Sequence, residues 1–297
     1  MSKVRFFNKY PTNIDIDTDK DVEVYIDEFN TTPVPVGSIR IVILEESLKG
    51  SLVSLASDYK DAYTYLLTYH QELLNNNPKA ILFHSTINSW IQRYIFPQKN
   101  FCVSALIGGK ENPAQKGYAL RHELWWNKDR ITIPKDFYLS SACRWKELDS
   151  KYFSKNSKSQ PDDFSVTQEK AMESLGCEVN YNGQKILGYS KNPLFDSQFH
   201  IAIENTKIAN YFSEKLLDCF QTKTIPIYYG CLNTHEYFNT EGIFFVDNIE
   251  DIISYCNTLT PETYEKMLPF AEDNFLRSEK WKDCTGRVEN MVKELIK

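Results

Sequence analysis

The sequence predicts an α/β protein of two doubly wound domains with mainly parallel sheets. Short apolar runs of strand type alternate with segments of helical spacing along its 297 residues, and such alternation marks sheets wrapped by helices. The length suits two domains of roughly 100–200 residues better than a single core. Residues 199–230, FHIAIENTKIANYFSEKLLDCFQTKTIPIYYG, condense the pattern into one β-loop-α-β unit.

Taken in order, SIRIVILEE (38–46) is a strand and YTYLLTYHQELL (63–74) passes from strand to helix. KAILFHS (79–85) is a further strand and NSWIQRYIF (88–96) a helix. The proline-containing break FPQKN (96–100) divides an N-terminal domain, 1–98, from a C-terminal one, 99–275. The second domain opens with FCVSALIGG (101–109), a strand ending in two glycines. SKYFSKNSKSQPDDFS (150–165) is polar and of low diversity, an exposed loop suited to spacing or acceptor contact. In the 199–230 unit FHIAI is a buried strand, Ser213 an N-cap, and Leu216, Leu217 and Phe220 recur at helical spacing before the strand TIPIYYG. EGIFFVD (241–247) is another strand, followed by helices from Ile249 broken at Thr260-Pro261, with a last helix in 276–297 packing back on the domains.

Composition excludes several classes. Apolar residues make up 42% and charged ones 25%, with 18 Tyr and 18 Phe, as in a folded protein with a large aromatic core. A net charge of −6 lacks the basic footprint of a general nucleic-acid binder. The N-terminal segment has no apolar secretion core and no run approaches the ~20 apolar residues of a membrane span, so a cytoplasmic protein without a span is expected. Cysteines 102, 143, 177, 219, 231, 256 and 284 form no CxxC pair, which fits reduced thiols, and histidines 70, 84, 122, 200 and 235 show no HExxH, so no metal site is expected. Asp15-Ile16-Asp17 and Asp17-Thr18-Asp19 have a DxD form but lie in a polar segment with no preceding apolar strand, and read as a solvated charge run. GxSxG and P-loop motifs are absent.

The 199–230 unit carries the chemistry. A helix start presents free backbone N–H groups and a positive dipole end, a seat for phosphate or pyrophosphate. Lys215 falls in the first turn, where the dipole disfavours a cation. That placement makes sense where the lysine faces an anionic ligand.

Glu204-Asn205-Thr206, Tyr211-Phe212-Ser213-Glu214-Lys215 and Pro226-Ile227-Tyr228-Tyr229-Gly230 follow one another in this unit. The series resembles the donor-binding signature of family-10 glycosyltransferases, the α1,3/α1,4-fucosyltransferases. In that family a strand ends in ENT or ENS, Tyr, Glu and Lys follow, and the next strand ends in a P-[IV]-Y-W-G-like run. The resemblance implies a GT-B fold, two Rossmann-like domains facing across a cleft. It also implies inverting, metal-independent transfer of fucose from GDP-fucose to a glycan hydroxyl, with an α1,3-type linkage. The want of a membrane stem points to the soluble type found in bacteria and viruses. By the same resemblance Lys215 contacts the donor pyrophosphate, Glu214 accepts from ribose or sugar hydroxyls, and Asn205 and Tyr211 line the pocket. Arg121, opening a helix after the Gly108–Gly109 turn, is the expected second grip on the diphosphate through two parallel hydrogen bonds, with Arg130 and Lys128 as alternatives. His122, beside it, either approaches the donor or holds an ordinary helical position. Inversion needs a carboxylate to take the acceptor proton. The family places a Glu at the end of an N-terminal strand, which selects Glu46 as base, with Glu45 adjacent on the opposite face. A different nucleotide sugar, or a catalytically silent glycan- or nucleotide-binding relative, are the alternative readings.

Overall fold

A computed structural model describes residues 4–7, 16, 18–45, 50–84, 89, 91, 98–140, 177–179, 185–188 and 190–297. Glu46, Asp15, Asp17 and the 150–165 segment lie outside the described residues, as does most of 88–96.

The first domain is a five-stranded parallel sheet in the order β1-β2-β3-β4-β5. Its strands are Val4–Phe7, Asp21–Ile26, Ser38–Leu44, Tyr65–Thr68 and Ala80–Leu82. Central β3 is buried from Arg40 to Leu44, which is why it reads as one continuous apolar run rather than an alternating one. Arg40 survives there because its Nε donates to Glu23 Oε2 at 2.8 Å and its Nη1 to the carbonyls of Thr32 and Ala62. Helices α1 (Gly50–Asp58) and α2 (Gln71–Asn76) cover one face, where Ala56 and Leu73 meet Val42, Leu44 and Leu66. The other face, Val22, Val24, Ile41 and Ile43, is covered by Val288 and Val292 of α7 (Cys284–Leu295). Strands β1 and β2 were not expected. Strand β1 precedes the acidic segment, so that segment connects two paired strands rather than standing before the fold.

Among the described residues the second sheet has seven strands in the order β12-β11-β10-β6-β7-β9-β8, with only β8 antiparallel to its neighbour. They are β6 (Asn100–Ile107), β7 (Lys135–Ser140), β8 (Cys177–Val179), β9 (Lys185–Leu187), β10 (Ser197–Ile203), β11 (Ile225–Tyr229) and β12 (Phe244–Phe245). Every residue of β10 is buried. Helix α3 (Lys116–Asn127) packs on one face through Leu120 and Leu124, joined by α5 (Ile249–Thr258) through Ile252. Helix α4 (Glu214–Gln221) packs on the other through Leu216, Leu217 and Phe220, with Phe195 beside them. The break before α6 (Pro261–Ser278) is a capping box of Thr260 with Thr263 and Pro261 in the first turn. The expected strand 241–247 is shorter than its sequence suggests. Asn239 Oδ1 accepts from Glu241 N and so caps a 3₁₀ turn over Thr240–Gly242, leaving only Phe244–Phe245 paired.

The domains meet at His84, just beyond β5. Its ring contacts those of Phe212, Tyr237 and Trp281, each with centroids 5.3 Å apart. Burial, with repulsion from Arg287 and Lys280 and against a hydrogen bond with the Asn210 backbone, lowers its pKa to about 4. Buried His200 is lowered to about 3 by burial, then by Lys191 and Lys99. An imidazole depressed in the folded state takes its proton more readily in the unfolded chain. The stability it lends above about pH 6.5 is therefore lost as pH falls towards 4 and 3, at about 1.4 kcal/mol per pH unit for each group. Melting temperatures between pH 7 and 4 are expected to fall steeply, and His84→Phe, which keeps a ring in the cluster, to flatten that fall. An unchanged slope in His84→Phe would remove His84 as a cause.

Candidate functional site

The chain leaves β6 through α3 to β7 on one side and leaves β10 through α4 to β11 on the other. The strand order thus reverses between β6 and β10, and a doubly wound sheet opens its crevice at the carboxyl ends of such a pair. A cavity of about 310 Å³ lies there. Its lining includes Gly108 after β6, Ile203 and Asn205 at the end of β10, Arg121 from α3, and Glu214, Lys215 and Asp218 from α4.

Close backbone approach brings these elements together. Gly117 N, in the first turn of α3, donates to Asn205 O at 3.0 Å. A Cβ at Gly117 would lie 1.7 Å from Glu204 O, so no other residue lets α3 dock on the end of β10. One turn on, Arg121 is 7% exposed. Its Nε and Nη2 both donate to Ile203 O, Nη2 also donates to Asn205 Oδ1 at 2.7 Å, and its guanidinium sits 5.0 Å from the Tyr118 ring centroid. The two-pronged edge expected to grip a diphosphate is thus engaged by β10 and Asn205. Burial lowers the Arg121 pKa, against the attraction of Glu204.

Helix α4 begins in a carboxylate-rich knot. Ser213 accepts from Lys215 N and donates through Oγ to Glu204 Oε2 at 2.7 Å, while Ser213 N donates to Glu204 Oε1 at 2.8 Å. Lys215 Nζ lies 3.0 Å from Glu214 Oε1 and 3.7 Å from Glu204 Oε2. Burial works against the Lys215 charge, yet Glu214 and Glu204 outweigh it and raise its pKa. Glu214 is opposed by burial too, but Lys215 and Lys191 hold it well below the usual carboxylate range. For Glu204, with no exposed surface, burial wins over Lys215 and pushes the carboxyl up. At neutral pH the cavity therefore presents a cation at Lys215 and an anion at Glu214.

Of the residues singled out from sequence, Arg121, Asn205, Glu214 and Lys215 line the same cavity. Tyr211 is buried but is not among the lining residues; its ring packs on Tyr69 of the first domain, centroids 5.4 Å apart. Its neighbour Asn210, in the left-handed region at φ 61°, donates to Gln71 Oε1 across the domain junction. Glu45 is buried at the end of β3, its N–H donating to Asp27 Oδ1 and its carbonyl accepting from Tyr69 OH. Arg130 pairs with Glu250 away from the cavity, Lys128 lies over Trp125, and buried His122 is within 3.0 Å of Gly108 O without lining the cavity. Three charged lining residues escaped sequence reading: Lys110, Lys191 and Asp218. Asp218 follows Glu214 by one helical turn, a spacing that does place both on one face. Lys191 enters from a separate loop and has no such signal. Among the described residues no three His, Cys, Asp or Glu side chains gather as a metal cluster, and no helix is long and apolar enough to cross a membrane. The described cysteines 102, 219, 231, 256 and 284 are unbridged.

No family model matches the sequence, and no curated protein matches it. Solved structures do. TarM aligns with a TM-score of 0.50 at 9% identity, over 91% of this chain and 54% of its own. The pneumococcal O-GlcNAc transferase GtfA in complex with UDP and GlcNAc gives 0.48 at 10% identity, over 92% of this chain and 56% of that one. An α1,3-fucosyltransferase with GDP-fucose gives 0.43 at 14% identity, over 86% of this chain and 70% of that one. At such identities the likeness to TarM is one of fold, and it makes the two parallel-sheet α/β domains a GT-B arrangement.

Proposed function

We propose that this chain is an inverting glycosyltransferase that moves fucose from GDP-fucose to a glycan hydroxyl without a metal, forming an α1,3-type linkage. The observation that carries the reading is the convergence of Asn205, Glu214 and Lys215 with Arg121 on one cavity at the β6/β10 reversal. These are four of the residues that the resemblance of 204–230 singles out. Lys215 meets phosphate oxygens as a point charge, Arg121 offers its guanidinium, Glu214 accepts from vicinal hydroxyls and Asn205 orients the ligand through its amide.

In the reaction the Glu46 carboxylate takes the proton of the acceptor hydroxyl, whose oxygen attacks the anomeric carbon from the face opposite the nucleotide. The bond from that carbon to the β-phosphate oxygen breaks and its electron pair leaves with GDP. The departing charge grows on phosphate beside Lys215 and Arg121, which is where fixed cations lower the barrier.

A thermal-shift panel of GDP-fucose, GDP-mannose, UDP-GlcNAc and UDP-glucose tests the donor. The true donor, at a hundredfold excess over its dissociation constant, stabilises the fold by about 2.7 kcal/mol. GDP-fucose is expected to give the largest shift. A larger shift with another sugar moves the donor while keeping the transferase, and no shift with any nucleotide sugar overturns the reading.

A further inference from the structure

Lys191 precedes the 3₁₀ turn Asn192–Asp196 that leads into β10. Its side chain is 13% exposed and lines the cavity on the α4 side. Its Nζ stands 3.7 Å from Glu214 Oε1 and 3.3 Å from Asp218 Oδ2. Both separations exceed the roughly 2.8 Å of a tight charge-assisted contact. Neither carboxylate depends on it alone. Glu214 has Lys215 at 3.0 Å, and fully buried Asp218 accepts from Ser89 Oγ at 2.9 Å and Ile91 N at 3.3 Å. Among the described residues, four cations, Lys110, Arg121, Lys191 and Lys215, thus line the cavity with two carboxylates. Counting Glu204 behind Lys215 still leaves cations in excess among the described residues.

We propose that Lys191 is a further phosphate-binding residue of this cavity, gripping the diphosphate from the α4 side opposite Arg121. The inference rests on the donor reading above. A sugar ester of a nucleoside diphosphate carries two negative charges, and the nucleotide released from it carries a third once the bond electrons pass to the β-phosphate. A cation surplus matches that ligand, and it matches the departing nucleotide better than the intact donor. Lys191 stands farther than a tight contact from both Glu214 and Asp218, while Arg121 has its Nε and Nη2 engaged by Ile203 O and Asn205.

Calorimetry of GDP and of guanosine against the full chain separates a phosphate contact from a structural one. Lys191→Met is expected to weaken GDP by about 10- to 100-fold, the scale of one lost charge-assisted hydrogen bond, and to leave guanosine affinity unchanged. Lys191→Arg restores most of the loss. Should removal of the lysine unfold the chain by stranding Asp218, Lys191→Met/Asp218→Asn removes both charges together and keeps an acceptor for Ser89 and Ile91. The same GDP-specific loss is expected from it. Equal losses for GDP and guanosine, or no loss, overturn the assignment while leaving the wild-type preference for GDP in place. A wild-type protein that binds GDP no better than guanosine overturns the donor reading itself.

Discussion

Lys215→Ala lowers GDP affinity by about 100-fold or more, read by calorimetry. One lost charge-assisted bond accounts for about 10- to 100-fold. The rest comes from the carboxylate left behind, since Glu214 lies 3.0 Å from the ammonium and would then face phosphate unscreened. Glu204 is also fully buried and loses the cation 3.7 Å from it. A lower melting temperature is therefore expected together with the weaker binding, and guanosine binding by the folded fraction separates the two effects. Wild-type GDP affinity in a folded Lys215→Ala protein would take Lys215 out of the site.

Glu46→Gln is expected to do the opposite: leave GDP affinity as it is and lower turnover by about 10²–10⁴-fold, the scale of a lost general base. The amide keeps the size and polarity of the side chain but cannot take the acceptor proton. Glu46 follows directly on Glu45, whose backbone is fixed at both its N–H, by Asp27, and its carbonyl, by Tyr69. A base that takes the acceptor proton must lie within hydrogen-bond reach of that hydroxyl. Full activity in Glu46→Gln would shift the role to Glu45 or further.

How much of this the sequence discloses depends on whether the interaction is local. The β10-α4-β11 unit is legible because each part has a short-range cause: a fully apolar strand, a serine cap, a helical apolar stripe. Glu214 and Lys215 come with it. Strand β2 is less so, because Asp21 and Glu23 interrupt its apolar pattern and Glu23 is kept by Arg40 in the next strand. Two-residue β12 falls below any periodicity. Lys191 meets Glu214 only through the tertiary fold, and nothing in its neighbours marks it. Gly117 looks like an ordinary helix-start glycine until Glu204 O is found against it. Tyr211 belongs to the motif in sequence, yet its ring turns towards Tyr69 and the domain junction.

Because α7 returns to the sheet on which β1 lies, the described residues show the chain passing between domains after β5 and again between α6 and α7. His84 marks the first crossing and Trp281 the second, and their rings touch. A body tethered by two adjacent strands of chain swings like a door about the line through them and is denied the free spin of a single linker. A nick at either crossing would leave the halves still attached through the other.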